Sequence, residues 1–266
     1  MAEPVIAAQP SSNIHILLLN PNSSTSMTYG METAAKRITS ITPSVTFDAY
    51  TAPSPSPASI NNDLDIQASS EAVLRDALLH QNLHSGIYDA VLVACFSVHT
   101  LVATLSESLT IPVTGIFEAS ILTSLSLLPP PSTTQQWGIV TTGEFWETHL
   151  SNGVADFLGQ APSSTSGNRN FTGVFSTGLT AGDFHTVSPE DVRARLEQAT
   201  RQLLNAGEVT CVVMGCGGMA GLQDIIRSVA LEVYGRERAK GVYIVDGVQA
   251  GILQLQQTVL SRRVFG

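Results

Sequence analysis

The sequence predicts an α/β fold of two similar halves built on mostly parallel sheets. Three observations carry that expectation. Short apolar, β-branched runs recur along the chain, longer segments with helical spacing separate them, and the order repeats at an interval of 121 residues.

Taken in order, IHILLL (14–19) is the first apolar run. TAPSPSPAS (51–59) is rich in Pro and Ser and reads as a loop. Gln67 to Leu83 has helical spacing, with Val73, Ala77 and Leu78 on one side. AVLVA (90–94), IPVTGI (111–116) and WGIVT (137–141) are further strands, and APSSTSGNRN (161–170) is a second loop. Pro189 to Leu204 is a helix with Ser188 as N-cap, Pro189 at the first helical position and Asp191 three residues after the cap. TCVVMG (210–215) and VYIVDG (242–247) complete the strands.

The repeat is anchored on two cysteines. Cys95 ends DAVLVAC and Cys216 ends VTCVVMGC, 121 residues later. The same shift carries Asn20 onto Thr141, Gly86 onto Gly207 and the helix at 67–83 onto 188–204. GIFEASIL (115–122) resembles DGVQAGIL (246–253) at a spacing of 131, the difference falling at the charged segment YGRERAKG (234–241). Each half thus places a thiol at the C-terminal end of a strand, where open α/β sheets bind ligands. Facing halves would set both thiols around one small molecule.

Composition narrows the partners. The formal charge is −9 with sparse, scattered Lys and Arg, so no basic footprint for nucleic acid exists. No apolar run reaches the roughly 18 residues of a membrane span. MAEPVIAAQPSSN, at the N-terminus, lacks a basic start and a sustained apolar segment; it reads as a tail over 1–13 rather than a signal peptide. Three cysteines argue against a disulfide framework and for a reducing, cytoplasmic setting. Cys211, among bulky neighbours, reads as core.

Around Cys216, VVMGCGGMAG (212–221) wraps a thiol in glycines, so backbone can approach something small. Gly215-x-Gly217-x-x-Ala220 also fits a dinucleotide fingerprint, but it opens no N-terminal mononucleotide unit. His99 lies four residues after Cys95, and a helical turn there would make a Cys/His nucleophilic pair. His80 and His84 share a helix face without a third metal ligand. NSS (22–24) and NFT (170–172) match the glycosylation sequon, which matters only in a secreted chain.

ILLLNPNSSTSMT (16–28), PASI (57–60), VACFS (93–97), IPVTGIFEA (111–119), VTTGE (140–144), MGCGGM (214–219) and VDGVQA (245–250) together resemble the aspartate/glutamate/hydantoin racemase superfamily, most of all its hydantoin and allantoin racemase branch with its fungal relatives. The resemblance implies two α/β subdomains related by a pseudo-twofold, with the active site between them. It assigns 14–114 plus 242–266 to the first and 115–241 to the second, the chain crossing back at its end. It implies an isomerase that needs no cofactor, acts on a small molecule such as a 5-substituted hydantoin or allantoin, and can form homo-oligomers. Cys95 and Cys216 are its implied acid and base. Asn20, Ser23, Thr28, Thr141, Thr142 and Gly143 are implied to bind the substrate's carbonyls and ring amides.

Phe96 and Ser97 beside Cys95, and Gly217 and Gly218 beside Cys216, would supply backbone amides to a developing oxyanion. His99 is a candidate substrate contact, and Glu118 and Asp246 follow the next strand of each half in a supporting role. FSVHT (96–100) departs from the FGDPG-like run typical of bacterial hydantoin racemases, which bears on the substrate.

Two bases suit racemisation because one proton leaves a face and another arrives on the opposite face. A helix N-terminus would lower one thiol from its usual value of roughly 8.5 to about 7, so thiolate and thiol coexist. The competing expectations are a decarboxylase or other isomerase of the same superfamily, an epimerase of a secondary metabolite, a Cys95/His99 hydrolase, and a non-catalytic binding protein.

Overall fold

The computed structural model describes residues 13–129, 134–160 and 169–266. The expected tail, apart from Asn13, and most of the expected loop over 161–170 lie outside the described residues.

Four strands, β1 (Ile14–Asn20), β2 (Val45–Thr51), β3 (Ala90–Val93) and β4 (Val113–Gly115), form one sheet in the order β2-β1-β3-β4. Four more, β5 (Gln136–Thr141), β6 (Phe171–Ser176), β7 (Val209–Gly215) and β8 (Tyr243–Asp246), form a second in the order β6-β5-β7-β8. All pairings are parallel, and the strand order of the first half recurs in the second. The helices are α1 (Thr25–Thr39), α2 (Asp63–Leu74), α3 (Ala77–His84), α4 (Thr100–Ser108), α5 (Ile116–Leu127), α6 (Phe145–Phe157), α7 (Pro189–Asn205), α8 (Gln223–Ala239) and α9 (Gly247–Phe265). Among the described residues no helix is long and apolar enough to cross a membrane.

Parallel strands covered on both faces need continuous apolar runs. Alternation sorts each run between two cores. Ile16, Leu18 and Leu92 enter a core shared with Ile139, Cys211 and Val213 of the second sheet. Leu17, Leu19, Val91 and Val93 fill the outer core of the first sheet, and Val140, Val212 and Met214 that of the second. The two halves are therefore joined through a common interior.

That interior is closed by an exchange of helices. After β4, α5 packs against β7 and β8; after β8, α9 lies on β1, β3 and β4 and pairs with α5. The close approach needs glycine: a Cβ on Gly251 of α9 would collide with the Leu92 side chain. The expectation that all of 242–266 belongs to the first subdomain is corrected by β8. Its apolar run continues the second sheet, Val245 opposite Val213, so only α9 crosses back.

The predicted helix over 67–83 is two helices. Asp76 breaks it, because its carboxylate accepts from the amides of Leu78 and Leu79 at 3.1 and 3.0 Å and starts α3. At α7 the predicted cap is present, Ser188 Oγ accepting from Asp191 N at 3.1 Å.

Candidate active site

In each sheet the chain turns to one side after the first strand and to the other after the third, so the crevice opens between β1 and β3 and between β5 and β7. Ligands of open α/β sheets occupy that crevice at the strands' carboxyl ends. Cys95 follows β3 and Cys216 follows β7, and both line one cavity of about 30 Å³. Both are free thiols, partly exposed at its wall.

Of the residues singled out in the sequence, Cys95, Phe96, Thr142, Cys216, Gly217 and Gly218 line the cavity. Ser97 stands behind Cys95, its hydroxyl donating to the sulfur at 3.3 Å. The others build the walls instead. Asn20 is fully buried; its amide donates to Thr28 Oγ1 at 2.9 Å and Asn22 Oδ1 at 3.0 Å, and Thr28 Oγ1 meets Thr51 Oγ1 at 2.6 Å. Ser23 Oγ donates to the Ser56 carbonyl at 2.8 Å and Ser23 N to the Pro57 carbonyl at 3.0 Å, pinning the 57–60 segment to the β1 loop. Thr141 Oγ1 donates to the Gly215 carbonyl at 2.9 Å, and Gly143 accepts from Trp146 N to start α6. Buried polar groups after a strand must be satisfied, and here neighbouring side chains and loop backbone satisfy them.

His99 does not form the pair with Cys95 that a helical turn there would make. It caps α4: Nδ1 accepts from Leu101 N at 3.3 Å, which leaves Nε2–H to face Ser69 Oγ at 3.1 Å. Burial lowers its pKa to about 4, so the ring is neutral. Both nitrogens are occupied and neither contacts Cys95, so the geometry offers no Cys/His dyad. His80 and His84 stack at 4.3 Å, and no group of three His, Cys, Asp or Glu among the described residues is placed to hold a metal.

Asn22, Met27 and Ile60, within segments that carry the resemblance but not named as site residues, also line the cavity, and Met31, Trp146 and Ala181 line it with no sequence signal. Met31 reaches across from α1, and a Cβ on Gly217 would strike its methyl group. Gly215 is fixed by packing, since a Cβ there would lie 2.7 Å from Ile139 Cγ2 and 2.9 Å from the Val140 carbonyl oxygen.

The thiols differ from the expected electrostatics. Burial pushes Cys95 up to about 12 and Cys216 up to about 11. No long helix starts at either cysteine. Cys216 caps a single 3-10 turn (Gly217–Met219), Gly218 N–H donating to its sulfur at 3.3 Å. α4 begins four residues beyond Cys95, capped by His99. Local donors therefore oppose desolvation without overcoming it. Cys211 is core as expected, 0% exposed, its thiol 3.5 Å from Ser124 Oγ.

The Asp/Glu/hydantoin racemase family model matches residues 16–255. The chain belongs to the Asp/Glu/hydantoin racemase family. Members of this racemase family are isomerases, and the two cysteines sit within the matched span. A Schizosaccharomyces pombe protein without an assigned activity is 31% identical over 250 residues, 92% of each chain. A Pseudomonas hydantoin racemase is 27% identical over 237 residues, 89% of this chain and 82% of that one. The racemase fold is shared with the allantoin racemase of Klebsiella pneumoniae, at TM-score 0.73 and 20% identity, covering 94% of this chain and 89% of that one.

Proposed function

We propose that this family member racemises or epimerises a cyclic ureide, a 5-substituted hydantoin or allantoin, with Cys95 and Cys216 as the two proton-transfer groups. The observation that carries the reading is that both thiols, from equivalent strand ends of the two sheets, line one cavity. One thiolate takes the C5 proton from one face. The electron pair passes into the ring carbonyl, and the other thiol protonates the opposite face. Gly217 beside one sulfur and Phe96 beside the other line the cavity, and their backbone amides are the donors this reading assigns to the developing oxyanion, the Gly218 N–H being held by the Cys216 sulfur. A donor so placed is worth about 3 kcal/mol.

A neutral ring is favoured over a free acidic amino acid. Neither Lys nor Arg is among the cavity-lining residues, so a substrate carboxylate would meet no cation there. The relative with hydantoin racemase activity points the same way.

The experiment is to replace each cysteine by serine and follow optical rotation of a single hydantoin enantiomer. Each variant should lose racemisation by about 100-fold or more, the scale of one acid–base group. Full activity after either substitution would end the reading. Under a decarboxylase, carbon dioxide would appear; under a binding protein, ligand would bind without turnover.

A further inference from the structure

The cavity wall divides by chemistry. Met27 and Met31 come from α1, Ile60 from the loop after β2, Trp146 from α6 and Ala181 from the loop after β6. All five are buried and belong to one apolar cluster, against which both Cys95 and Cys216 pack. That cluster is the core shared by the two halves, so the fold itself sets this part of the wall. Trp146 is held in place, its ring meeting Phe145 edge-on at 4.9 Å and His149 at 5.3 Å.

Hydrogen-bond acceptors are scarce along the rest of the wall. Its side chains bring two oxygens, Asn22 Oδ1 and Thr142 Oγ1. Asn22 Oδ1 already accepts from Asn20 Nδ2 at 3.0 Å and from Ser24 N at 2.9 Å. The Thr142 carbonyl accepts from Gly178 N at 3.0 Å and from Thr177 Oγ1 at 3.3 Å. The carbonyls of Cys95, Cys216 and Gly217 accept from the amides of Ser97, Met219 and Ala220, and that of Gly215 from Thr141 Oγ1. Donors are in better supply. Asn22 Nδ2 points one hydrogen at the Met27 sulfur at 3.3 Å, a weak acceptor, and so has capacity left for a ligand.

A hydantoin ring has two N–H groups and two carbonyls to satisfy. Its carbonyls match the donors, and its N–H groups take the acceptor capacity that remains, the Thr142 hydroxyl first. What is left for a group on C5 is the apolar wall. Resting on the racemase reading above, we propose that the C5 substituent lies against Met27, Met31, Ile60, Trp146 and Ala181, and that the substrate is a 5-alkylhydantoin rather than allantoin. Allantoin carries a ureido group at C5, with three N–H donors and a carbonyl. Against thioether and hydrocarbon those donors give up water and gain no acceptor. An alkyl group of the same shape is stabilised by leaving water. The proton transfers are the same for both molecules; the wall decides which one is held.

The test compares 5-isobutylhydantoin with allantoin, each as the racemate. Their substituents have the same number of heavy atoms and the same branching, so polarity alone separates them. Affinity is read in the full chain from protection of Cys95 and Cys216 against iodoacetamide, followed by peptide mass spectrometry, which needs no turnover. Deuterium exchange at C5 is followed in parallel. The Kd of 5-isobutylhydantoin should lie about 100-fold below that of allantoin, the scale on which an apolar pocket separates isosteres of different polarity. Met31→Gln, similar in length but bearing an amide, should shrink that ratio to about 10-fold or less. Met31→Leu should keep it.

Allantoin protecting as well as 5-isobutylhydantoin, or better, overturns the inference. So does protection by neither compound, or a ratio that Met31→Gln leaves unchanged. The wild-type ratio needs no variant, so it decides even where a substituted chain fails to fold. Exchange at C5 with allantoin held more tightly sinks this inference alone. The expected order of affinity without exchange at C5 sinks the proposed function alone.

Discussion

Cys95, Cys211 and Cys216 carry the same group in three settings, and substitution should separate them. Cys211→Ala removes a buried sulfur from the shared core and should cost about 1 kcal/mol in urea unfolding while leaving catalysis per folded molecule intact. A loss of racemisation in that variant would place the chemistry elsewhere. His99 makes a separate residue-scale prediction. Its folded pKa of about 4 lies below the ordinary 6.5, so the unfolded chain binds the extra proton. The stability it contributes is complete above pH 6.5 and is lost as pH falls toward 4, roughly 3 kcal/mol in all. His99→Asn keeps an N-cap and removes the titration. It should flatten the decline in stability between pH 7 and pH 4.5, and an unchanged decline would contradict the buried, neutral imidazole. Because both active thiols are held above their usual range, racemisation should also rise with pH above neutrality; a rate falling over pH 7 to 9 would contradict that account.

At the scale of elements, the glycines around Cys216 separate structure from chemistry. Gly215→Ala drives a Cβ against the Val140 carbonyl at 2.9 Å, and backbone cannot yield as a side chain can. It should destabilise by about 2 kcal/mol. Gly217→Ala meets only the Met31 methyl, so stability should hold while KM rises. Equal thermal shifts for both would contradict this division.

The elements also show what could be read from residues alone. Strands with continuous apolar runs, β1, β3, β5, β7 and β8, are legible because both of their faces are covered. β2 (VTFDAYT) and β6 (FTGVFS) were not named: they are edge strands, partly exposed, with no unbroken apolar run. Both thiols were legible through the repeat. The binding role of Asn20, Ser23 and Thr28 comes from the resemblance alone, because polarity at a strand end looks the same whether it faces a substrate or its own loop. Met31 and Trp146 enter the cavity by packing between distant segments, which leaves no local pattern.

Across the whole molecule, the cavity as described is small. About 30 Å³ holds a water or two, whereas an apolar cavity that takes up benzene is about 150 Å³. The expectation is that the two halves part to admit a five-membered ring. Contacts bridge them around the mouth: His149 Nδ1 lies 3.5 Å from Asp63 Oδ1, Met31 covers Gly217, and a Cβ on Gly182 would lie 3.9 Å from Ser59 Cβ. That last spacing matches a disulfide's mean Cβ separation of about 3.8 Å. Ser59→Cys combined with Gly182→Cys should form a bond on oxidation, stop turnover, and recover it on reduction. Full activity in the oxidised chain would show that this edge does not open.

The central claim is one thiol for each face of the reacting carbon. It is tested most directly by starting from a single hydantoin enantiomer in deuterium oxide and analysing both enantiomers at low conversion. Two thiols predict deuterium at C5 of the inverted product and protium retained in the unreacted substrate. An inverted product that keeps the substrate's own proton would mean that one group serves both faces, and would contradict the account.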